Sequence, residues 1–231
     1  MSGEIILIIF QVFILVMSVV IHEVAHGLMA FKLGDSTAKY AGRLTLNPIK
    51  HFDLWGSFIV PLFMILVFKF GFGWAKPVPY NPYNLKDQKF GPAWVALAGP
   101  LSNIITAIIF GLATKFMPLT HFEKIQIVNN IFDFSELATL LPGSFAAIFF
   151  WLCMMIITIN IFLAIFNLIP IPPLDGSKLL FALVPMEEKK MMVFEQYGFV
   201  FLLVIIFFFS APLGYLLNFI LALFLQYIVG I

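Results

Sequence analysis

The sequence predicts an all-α polytopic membrane protein with about five to six transmembrane helices and a re-entrant or extended β-like segment. Three observations carry this expectation. Of 231 residues, 62% are hydrophobic and 11% charged, with mean hydropathy +1.05, whereas soluble domains carry about 25% charged and roughly 45–50% apolar residues. The apolar residues gather into runs long enough to cross a hydrocarbon core of about 30 Å. One of those runs also holds three ionisable residues, which inside a span point to function.

The net charge of +1 leaves no electrostatic footprint for nucleic acid or an acidic partner. Cys153 is the single cysteine, so no internal disulfide or cysteine metal cluster can form. Met1-Ser2-Gly3-Glu4 lacks a basic leader and no small-residue cleavage site follows, so the first apolar run is expected to be a retained helix.

The first span covers residues 5–31 and contains His22-Glu23-Val24-Ala25-His26. On a helix the two histidines lie one turn apart on one face, where both imidazoles can reach one metal ion. Glu23 lies beside them, placed to take a proton from water rather than to ligate. His22 lies 17 residues past Ile5, about 26 Å along the helix, inside the membrane but near the exit face.

Residues 32–53 form a polar connection, within which Gly42-Arg43-Leu44-Thr45-Leu46 alternates as a short strand does. Residues 54–72 are apolar and interrupted by Pro61; Lys76-Pro77-Val78-Pro79-Tyr80-Asn81-Pro82 is too proline-rich for a helix and reads as an extended edge. Residues 92–117 span again, with an early break or close helix approach at Ala98-Gly99-Pro100-Leu101-Ser102-Asn103. Residues 118–142 read as an acidic polar loop and 143–169 as another span. In Asn167-Leu168-Ile169-Pro170-Ile171-Pro172-Pro173-Leu174-Asp175-Gly176, three prolines in four residues unwind the backbone at membrane depth, where irregular chain must be buried or line a wet cavity. A short helix over 177–184 and two apolar runs, 194–209 and 213–230, close the chain. Residues 1–231 read as one membrane-embedded domain, with a catalytic core over about 5–184 and C-terminal helices over about 194–230.

A catalytic zinc site takes three protein ligands and keeps one open position. His51 reads as a solvated loop histidine, His121 as a residue of the opposite face, and Glu195 as an interface anchor. Asp175 follows the unwound segment. Its competing role is to cap the helix after it, but the histidine pair lacks a partner and no better one exists. The site therefore reads as one zinc ion on His22, His26 and Asp175.

That assignment requires all three at one face, so one of the apolar runs before residue 175 must not cross; the Pro61 segment is the expected re-entrant or tilted hairpin. Residues 32–91 then share a face with eight Lys/Arg, namely Lys32, Lys39, Arg43, Lys50, Lys69, Lys76, Lys86 and Lys89, against one in 118–142. The positive-inside rule makes that face cytoplasmic. The expectation is a multi-pass protein of the cell membrane with its active site near the cytoplasmic face.

With H-E-V-A-H-G, A-G-P-L-S-N and N-L-I-P-I-P-P-L-D-G in order, the sequence resembles the site-2 proteases, intramembrane zinc metalloproteases, from His22 to about Leu180. The resemblance implies zinc on His22, His26 and Asp175, Glu23 as general base, and Asn167 helping to hold substrate or stabilise the oxyanion. It implies no firm role for Asn103. It also implies that the stretches near 42–46 and 76–80 guide the substrate strand, with Pro77 to Pro79 the candidate edge. Ser177 and Lys178 stand where the family often has Gly and Arg, and no PDZ insert occurs. The expected partners are the lipid bilayer and a transmembrane protein substrate, cleaved within or next to its spans in regulated intramembrane proteolysis; oligomeric state is left open. The competing readings are a divalent-metal transporter or metal-binding membrane protein, and a catalytically silent scaffold, which would not need Glu23.

Overall fold

The computed structural model describes residues 2–68, 73–184 and 186–231, and among these the regular elements are all helical. Five helical stretches, Gly3–Lys32, Gly91–Thr114, Phe145–Asn167, Lys189–Phe208 and Ser210–Val229, are long and apolar enough to cross a membrane.

Helix α1 is Ser2–Lys32, with Glu4 in its first turn and Lys32 in its last, each opposing the helix dipole. Leu7, Ile14 and Val20 are buried while Ile5, Ile6, Ile9 and Phe13 are exposed, so one stripe meets protein and the rest faces the lipid. A four-residue helix α2 (Thr37–Tyr40) follows. It is held by Asp35, which is fully buried and accepts from Thr37 Oγ1 (2.6 Å), Asn81 N (2.8 Å) and Asn84 Nδ2 (2.9 Å). This carboxylate joins the end of α1 to the chain just before the next span.

No strand forms at 42–46, contrary to the alternation read from sequence. Gly42 has φ +63°, which turns the chain, and Pro77 and Pro79 offer no N–H to a ladder. The two stretches are joined instead by Arg43, whose Nη2 donates to the carbonyls of Lys76 (2.6 Å) and Pro77 (3.4 Å). His51 is not solvated either. It is 2% exposed, and its Nε2 donates to Thr45 O at 2.9 Å.

A π-helical turn, Trp55–Ile59, leads into helix α3, Val60–Phe68; together they span roughly 21 Å, too little to cross. The chain then returns to where it entered: Trp74 N donates to Gly56 O (2.9 Å) and Lys76 N to His51 O (3.0 Å). The Pro61 segment thus leaves and rejoins one face, as the ligand assignment required. Lys69, counted above, lies outside the described residues.

Helix α4 (Gly91–Thr114) is the hub and packs on α1 and on two later helices, Phe145–Asn167 and Gly176–Leu183. Its buried face is made of Ala93, Ala96, Ala98, Gly99, Ala107 and Gly111, small residues that let helices close up where lipid offers no hydrophobic drive. The early break expected at residues 98–103 does not occur. The helix runs on through Pro100, as membrane helices tolerate, and Ser102 Oγ donates to Gly99 O at 2.7 Å.

Residues 118–142 are not a plain loop. They hold α5 (His121–Asn129), with a capping box between Thr120 and Glu123, and α6 (Phe134–Leu140), capped by Asp133. A Cβ added at Gly3 would lie 3.7 Å from Ala138 Cβ, so the start of α1 and this connection share the far end of the bundle. Helix α7 (Phe145–Asn167) then returns through the core, burying Phe150, Trp151, Met154, Met155 and Ile157. Asp175 thereby arrives at the end where α1 exits. Helix α8 is Gly176–Leu183. Helix α9, Glu188–Phe208, begins earlier than the expected 194 and presses Gly198 against Pro172. Helix α10 (Ser210–Phe224) and a π-helical turn, Leu225–Val229, end against α4 at Gly111.

Candidate active site

Helical spacing puts the rings of His22 and His26 edge to face, with centroids 4.6 Å apart. His22 Nδ1 lies 2.5 Å from Asn103 Oδ1, and His26 Nδ1 lies 2.7 Å from Val95 O. Both partners are oxygens that can only accept, so each Nδ1 carries the proton and each Nε2 presents a lone pair. Both fixing groups come from α4.

Those two Nε2 atoms converge on Asp175 Oδ2, at 3.1 Å from His22 and 3.3 Å from His26. All three ligand atoms lie within 4.8 Å of one another. Atoms bound at about 2.0–2.1 Å to a tetrahedral ion lie about 3.3 Å apart, so the observed edges fit a zinc site. The donor chemistry agrees, since two imidazole lone pairs and a carboxylate need a cation between them.

Asp175 occupies the N-cap position of α8, yet its side chain makes no capping hydrogen bond. The prolyl turn explains its aim. A Cβ at Gly176 would fall 2.2 Å from Leu168 O and 2.6 Å from Ile169 O, so the chain folds tightly back on the end of α7 and turns residue 175 toward α1. The Pro172-Pro173 peptide is cis.

Three supports were not read from the sequence. Asn103, fully buried, donates Nδ2 to Asn160 Oδ1 (2.7 Å), and Asn160 donates to Ser18 Oγ (2.9 Å) and Ile156 O (2.8 Å). This polar chain ties α4, α7 and α1 together behind His22. The available signal was three polar residues in apolar spans, with Ser18 one turn before His22. Gly99 is the second support: a Cβ there would meet His26 Nε2 and Cε1 at 2.5 Å and His22 Cε1 at 2.6 Å, so bare main chain is required against both rings. The third is Tyr80, whose hydroxyl is pushed up by burial and by the nearby Asp175 and Glu195 carboxylates; it stays a neutral phenol beside the site.

Glu23 Oε2 accepts from Val78 N at 2.8 Å, which brings the extended stretch directly onto the carboxylate next to the histidines. Gly27 makes room for it: a Cβ there would lie 2.6 Å from Leu44 Cδ2 and 2.9 Å from Val78 Cγ1. Asn167 is half-buried and donates Nδ2 to Leu163 O at 2.9 Å within its own helix. Glu195 pairs with Lys178 rather than serving as a free interface anchor.

A helical membrane bundle with this donor set defines a zinc metallopeptidase of the site-2 protease type. The chain belongs to peptidase family M50, whose profile matches residues 10–211. It is similar to relatives whose names class them, provisionally, as zinc metalloproteases. YwhC of Bacillus subtilis is 38% identical over 206 residues, covering 89% of this chain and 82% of that one. Rip2 of Mycolicibacterium smegmatis is 27% identical over 202 residues (84% and 67% of the two chains), and MJ0611 of Methanocaldococcus jannaschii 29% over 164 residues (70% and 63%). No solved structure matches the chain.

Proposed function

We propose that this peptidase hydrolyses peptide bonds within or next to transmembrane segments of other membrane proteins, in regulated intramembrane proteolysis, holding one zinc ion on His22, His26 and Asp175. The convergence of Asp175 Oδ2 on both Nε2 atoms, at 3.1 and 3.3 Å, carries the reading. The ligands sit toward one end of apolar helices, where a substrate span can be met from the lipid. Residues 1–231 act as one domain, its core over about 5–184.

Bound zinc supplies Lewis acidity, polarising a peptide carbonyl and making water nucleophilic near neutral pH. Glu23, steadied by the Val78 N–H, accepts the proton of the attacking water and passes it to the leaving amine. Asn103 and Val95 keep the imidazoles in the tautomer that ligates. Asn167 exchanges its bond to Leu163 O for the developing oxyanion, a donor worth about 10²–10³ in rate elsewhere. A helical substrate has its carbonyls tied up, so it unwinds first and runs beside the stretch from Pro77 to Pro79.

Seven described Lys/Arg residues, Lys32, Lys39, Arg43, Lys50, Lys76, Lys86 and Lys89, lie on the ligand-side connections against Lys124 alone in 118–142. This supports a cell-membrane protein with the site at the cytoplasmic face. The experiment measures zinc content and cleavage of model transmembrane peptides. Glu23→Gln keeps zinc and loses cleavage, His22→Ala and Asp175→Ala lose zinc, and Asn167→Ala keeps zinc with about 10²-fold lower kcat. A fully active Glu23→Gln protein sinks the assignment.

A further inference from the structure

Beside the stretch that carries Val78 is a cavity of about 450 Å³ whose walls include Arg43, Lys50, Phe52, Lys76, Pro77 and Pro79. Three of those six are cations and none is an acid. Lys50 and Lys76 are exposed, whereas Arg43 is 8% exposed and its Nε is buried without a hydrogen-bond partner. Its Nη2 clamps the carbonyls of Lys76 and Pro77, which fixes the guanidinium in the wall. A cavity walled by a fixed guanidinium and two ammonium groups is matched by a carboxylate.

We propose that this cavity is a specificity subsite that takes an acidic side chain of the substrate near the scissile bond. The inference rests on the peptidase reading above. Pro77 and Pro79 are the immediate neighbours of Val78, whose N–H is 2.8 Å from Glu23 Oε2. A substrate extended along this stretch, at about 3.3 Å per residue, therefore brings a side chain to the cavity about two to four residues from the bond being cut. Phosphatidylglycerol headgroups would also satisfy the cations. The peptide is favoured because the cavity wall is the very stretch that holds the general base.

The test uses the full chain, zinc-loaded, in phosphatidylcholine nanodiscs. Model transmembrane peptides carry Glu, Gln or Lys at successive positions around the cleavage site, and the readout is the ratio of kcat/KM between them. Binding of the same labelled peptides is followed by fluorescence anisotropy. At one position the wild type prefers Glu over Gln by about tenfold, and Lys50→Glu/Lys76→Glu, which changes only exposed side chains, turns the preference toward Lys. Equal kcat/KM for Glu and Gln at every position overturns the proposal, as does a double variant that lowers both alike. An activity difference that appears only when phosphatidylglycerol is added, equally for all peptides, makes the cavity a lipid site and also overturns it. Tighter binding of the Glu peptide with no cleavage of any peptide keeps the subsite and defeats the peptidase reading instead.

Discussion

His22 Nδ1 lies 2.5 Å from Asn103 Oδ1, and this contact decides which nitrogen of the ring faces Asp175. Removing the amide frees the ring to flip or to protonate at the wrong atom. Asn103→Ala is expected to weaken zinc binding by about 10–100-fold, the usual effect of losing a partner of a ligating histidine. Asn160→Ala acts in the same direction and less strongly, because it orients Asn103 rather than His22. Competition with a chromogenic chelator measures both, and an unchanged affinity in Asn103→Ala would contradict the tautomer argument.

Gly99→Ala separates helix formation from site formation. Alanine is the better helix former by about 1 kcal/mol, yet its methyl would lie 2.5 Å from His26 Nε2. The variant is expected to keep its helical circular dichroism and lose most of its zinc. Normal metal content would mean that α4 can back away from α1.

Gly27 lies behind the extended stretch rather than at the metal. Gly27→Ala has to displace Leu44 and Val78, at 2.6 and 2.9 Å from the added carbon, and with Val78 goes the hydrogen bond to Glu23. The expected result is a fall of about tenfold or more in peptide kcat/KM with zinc content intact. Parallel loss of zinc and activity would place the damage in α1 itself.

Asp35 gives a prediction in pH. Burial opposes its ionisation, but hydrogen bonds from Thr37, Asn84 and the Asn81 main chain outweigh it and hold the carboxyl below its ordinary value of 3.8. A depressed folded value stabilises the protein above about pH 3.8 and is lost as pH falls through the folded value. Wild type in detergent is therefore expected to lose thermal stability on acidification below about pH 4 more steeply than Asp35→Asn. At pH 7 the variant should be weaker by roughly 1.5–3 kcal/mol, the contribution of hydrogen bonds to a charged group. Parallel acid curves for the two proteins would remove Asp35 as the cause.

Much of this architecture was legible because the membrane restricts the choices. Long apolar runs must be helices, and the need for His22, His26 and Asp175 to share a face already required one run not to cross. What stayed hidden depends on contacts between distant parts of the chain. Alternation at 42–46 reads as a strand, but Pro77 and Pro79 deny it a partner, and only the folded chain puts them side by side. Gly99-Pro100 reads as a break or a close helix approach, and only the folded chain shows that the helix runs on and that the glycine answers to two imidazoles on another helix. His51 reads as solvated because burial of a loop histidine leaves no local pattern. The two caps in 118–142 were visible as Thr120-x-x-Glu123 and Asp133-x-x-Glu136, a signature of helix starts.

Asp175 stands 153 positions after His22. During synthesis the histidine pair leaves the ribosome and enters the bilayer long before its carboxylate partner is made. A half-made copy is expected to hold two of the three proposed donors and no closed pocket around them, and so to be inert among the neighbouring nascent chains.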